Sequence, residues 1–225
     1  MVTAIIVAAG KSERMGGGAD KAFLNLGPRP VLAWSLLAFE RNEDVDAIVL
    51  VVRKDQVTAA KAVARMFGIS KLVKVVAGGN RRQDSVMAGL KEVDSDTRVV
   101  VVHDGARPCV AQDVISEVIK AARRGAATVS GCRIRDAVKL VERGTSISGT
   151  VDRAKYWMVQ TPQAFPYSML RKAYAAVDAE GKDVFDDAQA VELLGESVKI
   201  CETEKPNIKI TTPEDLQVAA ALLKL

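Results

Sequence analysis

Apolar and polar positions run through the first half of the chain in two rhythms. Short apolar runs at Ala4–Val7, Ala47–Val52, Leu72–Ala77 and Arg98–His103 have the length and β-branched content of strands. Between them, Val31–Arg41, Asp55–Phe67 and Asp84–Val93 place apolar residues near every 3.6 positions, the period of an amphipathic helix. Val99-Val100-Val101-Val102 is continuous, as expected of a strand covered on both faces. This alternation predicts an α/β fold: an open, mostly parallel twisted sheet with helices on both faces, Rossmann-like in outline.

The rhythm breaks after about residue 130. Arg135–Val151 alternates polar and apolar residues around Glu142-Arg143-Gly144, which predicts a projecting hairpin. Such a hairpin is either an ordinary sheet edge or a functional arm. A helix is predicted over Tyr167–Val177 and a short strand over Asn207–Ile210. A last helix then opens with Thr212 as N-cap, Pro213 at the first helical position and Glu214 and Asp215 in the first turn. With no internal repeat or linker, one domain over residues 1–225 is expected, with the excursion at about 133–153.

Composition narrows the chemistry. Of 225 residues, 48% are hydrophobic and 27% charged, and the formal net charge is +4, so anionic small molecules are expected before polynucleotides. Two Trp, three Tyr and five Phe give no interleaving of aromatic and basic residues of the kind that binds single strands. Cys109, Cys132 and Cys201 lie far apart and fit small buried apolar positions better than a disulfide framework or a zinc site. His103 is the one histidine, which argues against a histidine-built metal site and leaves few routes to a hydrolase triad. No signal-peptide pattern or membrane-length apolar run is present, so a cytoplasmic protein is expected.

The candidate chemistry sits just past the strands, where open α/β sheets bind ligands. The first strand runs into Ala8-Ala9-Gly10, then Arg14, Gly16-Gly17-Gly18 and Lys21. A strand feeding a glycine-rich basic loop presents N–H groups and positive charge to phosphates. The spacing fits neither the dinucleotide fingerprint nor the Walker loop. The third strand delivers Gly78-Gly79-Asn80-Arg81-Arg82 with Ser85 a turn later, the fourth delivers Asp104-Gly105-Ala106-Arg107, and Lys209 comes late in the chain. Each has a plainer reading alone: glycines for tight turns, solvated loop cations, Asp104 as a helix cap, His103 packed at a strand end. Four segments reaching one sheet edge with matching chemistry point instead to a phosphate and metal site.

In order along nearly the whole chain, AAGKSERM with Lys21-Ala22-Phe23-Leu24, GGNRRQDSV, VHDGARP, TVDR, QTPQAF, DDA and NIKITTPEDL resemble the 2-C-methyl-D-erythritol 4-phosphate cytidylyltransferase family. The resemblance implies a nucleotidyltransferase that uses CTP, a polyol phosphate and Mg²⁺. It assigns Arg14 and Lys21 to the α-phosphate of CTP, and Arg153 and Lys209 to the sugar phosphate. Asp104 would lie near Mg²⁺ and the nucleotide, with Arg107 and Thr161 in the substrate pocket. Ala8, Ala9, Gly10, Gly79, Asn80, Arg82 and Ser85 would recognise CTP. The hairpin would interlock two subunits of a homodimer, with Arg153 acting across the interface. Ala137, Phe185 and Ala22 depart from the family pattern, which commonly has threonine, threonine and glutamine there. The first two would face the polyol phosphate, which keeps ribitol 5-phosphate as an alternative substrate. A non-catalytic nucleotide-binding protein is the other alternative, and the intact set Arg14, Lys21, Asp104, Arg153 and Lys209 speaks against it.

Overall fold

The computed structural model describes residues 1–10, 12, 15 and 20–225. The predicted runs become β1 (Val2–Ala8), β4 (Ala47–Val52), β5 (Leu72–Ala77) and β6 (Val99–Asp104), after a two-residue-per-strand hairpin of β2 (Asn25–Leu26) and β3 (Arg29–Pro30). The predicted helices appear as α1 (Val31–Glu40), α2 (Val57–Met66), α3 (Arg82–Leu90) and, later, α5 (Tyr167–Ala179). Five further elements were not expected from the sequence: α4 (Gln112–Arg123), β7 (Ala127–Arg133), β10 (Trp157–Pro166), α6 (Asp187–Leu193) and β11 (Val198–Glu202).

One seven-stranded sheet runs in the order β11-β7-β10-β6-β1-β4-β5. β1 pairs in parallel with both β4 and β6, and β4 with β5. Strand order therefore reverses at β1, which opens a crevice beyond the carboxyl ends of β1 and β6. β10 alone is antiparallel to its neighbours β6 and β7, and its register with β7 shifts between Val159 and Gln163.

Successive side chains of a strand point to opposite faces, and both faces here are apolar. Ala4, Ile6, Leu50, Val52 and Val101 pack with Leu36, Phe39, Ile115 and Ile119 of α1 and α4. Ile5, Val49, Val51, Val100 and Val102 pack with Val86, Leu170, Val177 and Val191 of α3, α5 and α6. Burying both faces fixes the register, since a one-residue slip would exchange the two sets.

The hairpin forms as β8 (Val138–Leu140) paired with β9 (Gly149–Val151), with Gly144 at φ +63° in the connecting loop. Arg133 anchors its base, stacked 3.8 Å over Trp157 and donating to the Ala154 carbonyl at 3.3 Å.

The expected strand at Asn207–Ile210 does not form. Both edges of β6 are already taken by β1 and β10, so the segment has no free ladder to join. It is held instead by the Ile210 N–H to the Ala106 carbonyl at 2.8 Å and by Asn207 Nδ2 to the Thr161 carbonyl at 2.7 Å.

The last helix, α7 (Glu214–Leu223), starts one residue later than expected: its N-cap is Pro213, at φ −58° and ψ −34°, not Thr212. No side chain caps its first N–H groups; Asp215, in the first turn, instead reaches back so that its Oδ2 accepts the N–H groups of Thr211 and Thr212 at 2.8 and 2.9 Å. The three cysteines are free and half-buried. Among the described residues, no helix is long and apolar enough to cross a membrane.

Candidate active site

The crevice at the strand-order reversal is a pocket. Val7, Ala8, Ala9 and Gly10 line it from β1 and just beyond, Gly79–Arg82 and Ser85 from the start of α3, Asp104 and Ala106 from the end of β6, with Asp20, Lys21, Ala22 and Lys209 completing it. The structure thus brings together the predicted Ala8, Ala9, Gly10, Lys21, Gly79, Asn80, Arg82, Ser85, Asp104 and Lys209. Arg14 lies outside the described residues.

The loop after β5 is shaped by what it has no room for. A Cβ at Gly78 would stand 2.5 Å from the Ala9 Cβ, and one at Gly79 would stand 2.4 Å from the Asp84 Cβ. Real Cβ atoms do not approach so closely, so glycine lets this backbone lie against β1 and α3. Ser85 Oγ accepts the Gly79 N–H at 3.2 Å and donates to the Arg81 carbonyl at 3.2 Å, tying the loop to the helix. On the β1 side, Asp20 accepts the Ala22 N–H at 3.1 Å, and Ser12 Oγ accepts the Lys21 N–H at 3.2 Å.

Asp104 is the electrostatic centre. Its Oδ1 accepts from Arg82 Nε at 3.2 Å, its Oδ2 from Lys209 Nζ at 2.7 Å, and Arg107 Nε lies 3.8 Å from Oδ2. Burial alone would raise the pKa of this carboxyl, but the Arg82, Lys209 and Arg107 charges outweigh it and hold it well below the usual range. Arg82 is disfavoured by burial and held charged by Asp187 and Asp104. Its neighbour Arg81 turns outward to Asp84 and Asp183, each at 2.6 Å.

Thr161 and His103 support this centre from below and do not line the pocket. Thr161 Oγ1 accepts the Asp104 N–H at 3.0 Å and meets His103 Nδ1 at 3.2 Å, while His103 Nε2 meets the Arg107 carbonyl at 3.2 Å. A carbonyl only accepts, so Nε2 carries the proton and Nδ1 receives the Thr161 hydroxyl. Burial pushes the His103 pKa down to about 4, which keeps the ring neutral at pH 7. Arg107 donates to the Asn207 carbonyl at 2.6 Å, so it braces the segment that carries Lys209.

Arg153 is not brought to this pocket within one chain. It sits in a single 3-10 turn, Arg153–Lys155, at the base of the hairpin and donates to the Arg135 carbonyl. Ala137 lies exposed on the hairpin. Phe185, just before α6, is 93% exposed, whereas Ala22 is buried and borders the pocket beside Lys21.

Sequence reasoning gave no role to Asp187, Tyr174 or Asp20. Asp187 is fully buried, with Tyr174 Oη donating to its Oδ1 at 2.6 Å and Arg82 Nη2 to its Oδ2 at 2.7 Å. An Asp-Asp pair before a helix reads as capping, and Asp186 does cap α6 by accepting the Gln189 N–H at 2.9 Å. Nothing local distinguishes the second aspartate as a core residue.

A fixed row of cations around one carboxylate, beside a glycine-shaped loop, can hold a polyphosphate and oppose the repulsion between it and a second phosphate. Comparison with known proteins agrees with that chemistry. The family model for 2-C-methyl-D-erythritol 4-phosphate cytidylyltransferase matches residues 2–225. The protein of that name from Desulforamulus reducens is 42% identical over 224 residues, covering 99% of this chain and 96% of the relative. Its counterpart from Alkaliphilus oremlandii is 39% identical over 221 residues, covering 98% and 94%. Among solved structures, 4-diphosphocytidyl-2C-methyl-D-erythritol synthase from Anaerococcus prevotii superposes with a TM-score of 0.88 at 31% identity, covering 100% of this chain and 96% of that one. The Thermus thermophilus cytidylyltransferase gives 0.80 at 33% identity, with both chains covered completely. The chain belongs to the 2-C-methyl-D-erythritol 4-phosphate cytidylyltransferase family.

Proposed function

We propose that this protein transfers the cytidylyl group of CTP to 2-C-methyl-D-erythritol 4-phosphate. A phosphate oxygen of the polyol attacks the α-phosphorus in line, the bond to the β-phosphate breaks, and pyrophosphate leaves with the electron pair of the bridging oxygen. The observation that carries this reading is the convergence of Lys21, Arg82 and Lys209 with Asp104 in one pocket at the sheet's reversal.

The residues divide the work by position. The glycine loop and Ala8-Ala9-Gly10 offer backbone to the nucleoside, and Lys21 and Arg82 neutralise its phosphates. Lys209, freed from Asp104, meets the incoming phosphate monoester. No general base is required, because a phosphate monoester is already deprotonated near neutral pH. That fits a site whose one histidine is buried and neutral.

Mg²⁺ fits this donor set. Among the described residues, no group of three or more metal-ligating side chains exists, and Asp104 and Asp20 are the carboxylates on the pocket wall. Mg²⁺ commonly takes one or two carboxylates and completes its shell with water and substrate phosphates. Asp104 would hold it, and the ion would supply charge neutralisation at the triphosphate.

A homodimer is the assembly this reading requires. Leu140, Val141, Ile147, Tyr156 and Met158 expose apolar side chains on or beside the hairpin, a surface that a second copy would cover. Arg153, at the arm's base, would then serve the partner's pocket. A cytoplasmic location accords with phosphorylated, membrane-impermeant substrates.

Phosphorus NMR of a mixture of CTP, Mg²⁺ and 2-C-methyl-D-erythritol 4-phosphate tests the reaction. Paired signals of a new diphosphate diester and pyrophosphate are expected. Unchanged CTP, with the protein folded, would overturn the reading.

A further inference from the structure

We propose that Asp187, backed by Tyr174, is a positioning residue that keeps Arg82 aimed into the pocket when an incoming triphosphate takes the place of Asp104. This rests on the CTP-binding role of the pocket proposed above.

The geometry separates the two carboxylates that share Arg82. Asp104 meets Nε at 3.2 Å and Asp187 meets Nη2 at 2.7 Å, so two different nitrogens of one guanidinium are held at once, each by its own carboxylate. The Asp104 side chain is 11% exposed and faces the pocket, whereas the Asp187 side chain is 0% exposed. A phosphate oxygen entering the pocket reaches Nε and competes with Asp104. It cannot reach Asp187. Arg82 therefore has one exchangeable partner and one permanent partner, and the permanent one fixes its aim.

Asp187 is itself held. Tyr174, on α5, donates its hydroxyl to Oδ1 at 2.6 Å, leaving Oδ2 for Arg82. Capping of α6 is done by Asp186, so the helix N-terminus does not call on the Asp187 side chain. Removing one member of a buried charge pair leaves the other uncompensated, so the chain Tyr174–Asp187–Arg82 has few cheap alternative arrangements. An arginine oriented before the ligand arrives loses less conformational freedom on binding.

Calorimetric titration of CTP and steady-state kinetics on D187N, Y174F, R82Q and the double variant R82Q/D187N test this. D187N should raise both the CTP Kd and the KM for CTP by about tenfold or more, the scale for supporting residues behind a binding group. The KM for the polyol phosphate should move by no more than roughly twofold. In the R82Q background D187N should add nothing to the loss of CTP affinity, because a residue that acts through Arg82 has no further route. A D187N protein with wild-type CTP affinity, or an effect that adds in full in the R82Q background, would overturn the proposal. Should D187N fail to fold, Y174F deletes a single oxygen from the same chain, and a several-fold weaker CTP affinity is expected; unchanged affinity overturns the proposal. Wild-type protein that binds no CTP would contradict the functional reading itself, which is a distinct result.

Discussion

Lys209 Nζ sits 2.7 Å from Asp104 Oδ2, an ion pair between residues 105 positions apart that closes the floor of the pocket. Lys209 is thus engaged by a carboxylate before any phosphate arrives. On the role proposed for Lys209, that partner is exchanged for substrate during turnover. The exchange is feasible because the Lys209 side chain is 38% exposed at this edge. Lys209→Met should therefore abolish most turnover while leaving the fold intact, since Asp104 keeps Arg82 and Arg107 as neighbours. Circular dichroism matching wild type, together with a kcat reduced about a hundredfold or more, is expected on the scale of a lost transition-state donor.

Lys21 is assigned to the α-phosphate, where negative charge builds as the new bond forms. Lys21→Ala should raise the barrier by ~3–4 kcal/mol. Single-turnover rates at saturating CTP measure this directly. Near-normal turnover would remove Lys21 from that role.

Gly79 has no room for a side chain. The Cβ of Gly79→Ala would meet the Asp84 Cβ at 2.4 Å, and Asp84 Oδ2 accepts the Arg81 N–H at 3.0 Å at the start of α3. Relieving the clash moves either the loop or the helix start, at a cost of about 1–3 kcal/mol. A lower melting temperature and weaker CTP binding should appear together. Wild-type CTP affinity would mean that the loop backbone is not part of the nucleotide site.

His103 sets an acid limit on stability. Burial lowers its folded pKa to about 4 from an unfolded value of 6.5. Between those values the unfolded chain binds a proton that the folded chain does not, so stability falls as pH drops through the window, by about 3 kcal/mol. Asp104, with its pKa depressed in the fold, adds loss in the same direction only below the ordinary carboxylate range. Urea midpoints from about pH 6.5 down to about pH 4 should decline in wild type and decline less in His103→Gln. Equal slopes would contradict this account of the buried ring.

Arg153 lies at the base of the hairpin, away from the pocket lining of its own chain. If it serves a partner's site, Arg153→Ala and Lys21→Ala homodimers are each defective, and mixed dimers contain one site with neither change. Co-refolding the two variants should restore turnover. A mixture no more active than its components would sink the shared site.

The parts of this molecule that follow from local pattern were readable, and the parts that depend on distant partners were not. Val99–Val102 announces a doubly covered strand, and with it the position of Asp104 at the strand's end. Gly79 and Lys209 likewise reach the pocket edge expected of them, although the short strand predicted around Lys209 does not form. α4 also carries a readable helical spacing in Val114, Ile115, Val118, Ile119 and Ala122. β7 and β10 are different. Ser130, Gly131 and Cys132, or Gln160 and Pro162, break any period, and these strands exist because β10 pairs antiparallel between β6 and β7. Asn207–Ile210 has the composition of a strand but no open edge to join. Asp187 and Tyr174 carry no local sign of their link to Arg82, which only the packing of α5 and α6 creates.

Two positions that depart from the family pattern are expected to bear on the second substrate: Ala137 on the hairpin, and Phe185, 93% exposed before α6. Neither offers a hydroxyl to a polyol. On the proposed roles, Lys209 and Arg153 carry phosphate recognition, so the loss of those hydroxyls is expected to be tolerated. The most direct measurement is pyrophosphate release with CTP and Mg²⁺, comparing kcat/KM for 2-C-methyl-D-erythritol 4-phosphate and ribitol 5-phosphate. A clear preference for the methylerythritol phosphate is predicted. Preference for ribitol 5-phosphate, or no pyrophosphate from either, would contradict it.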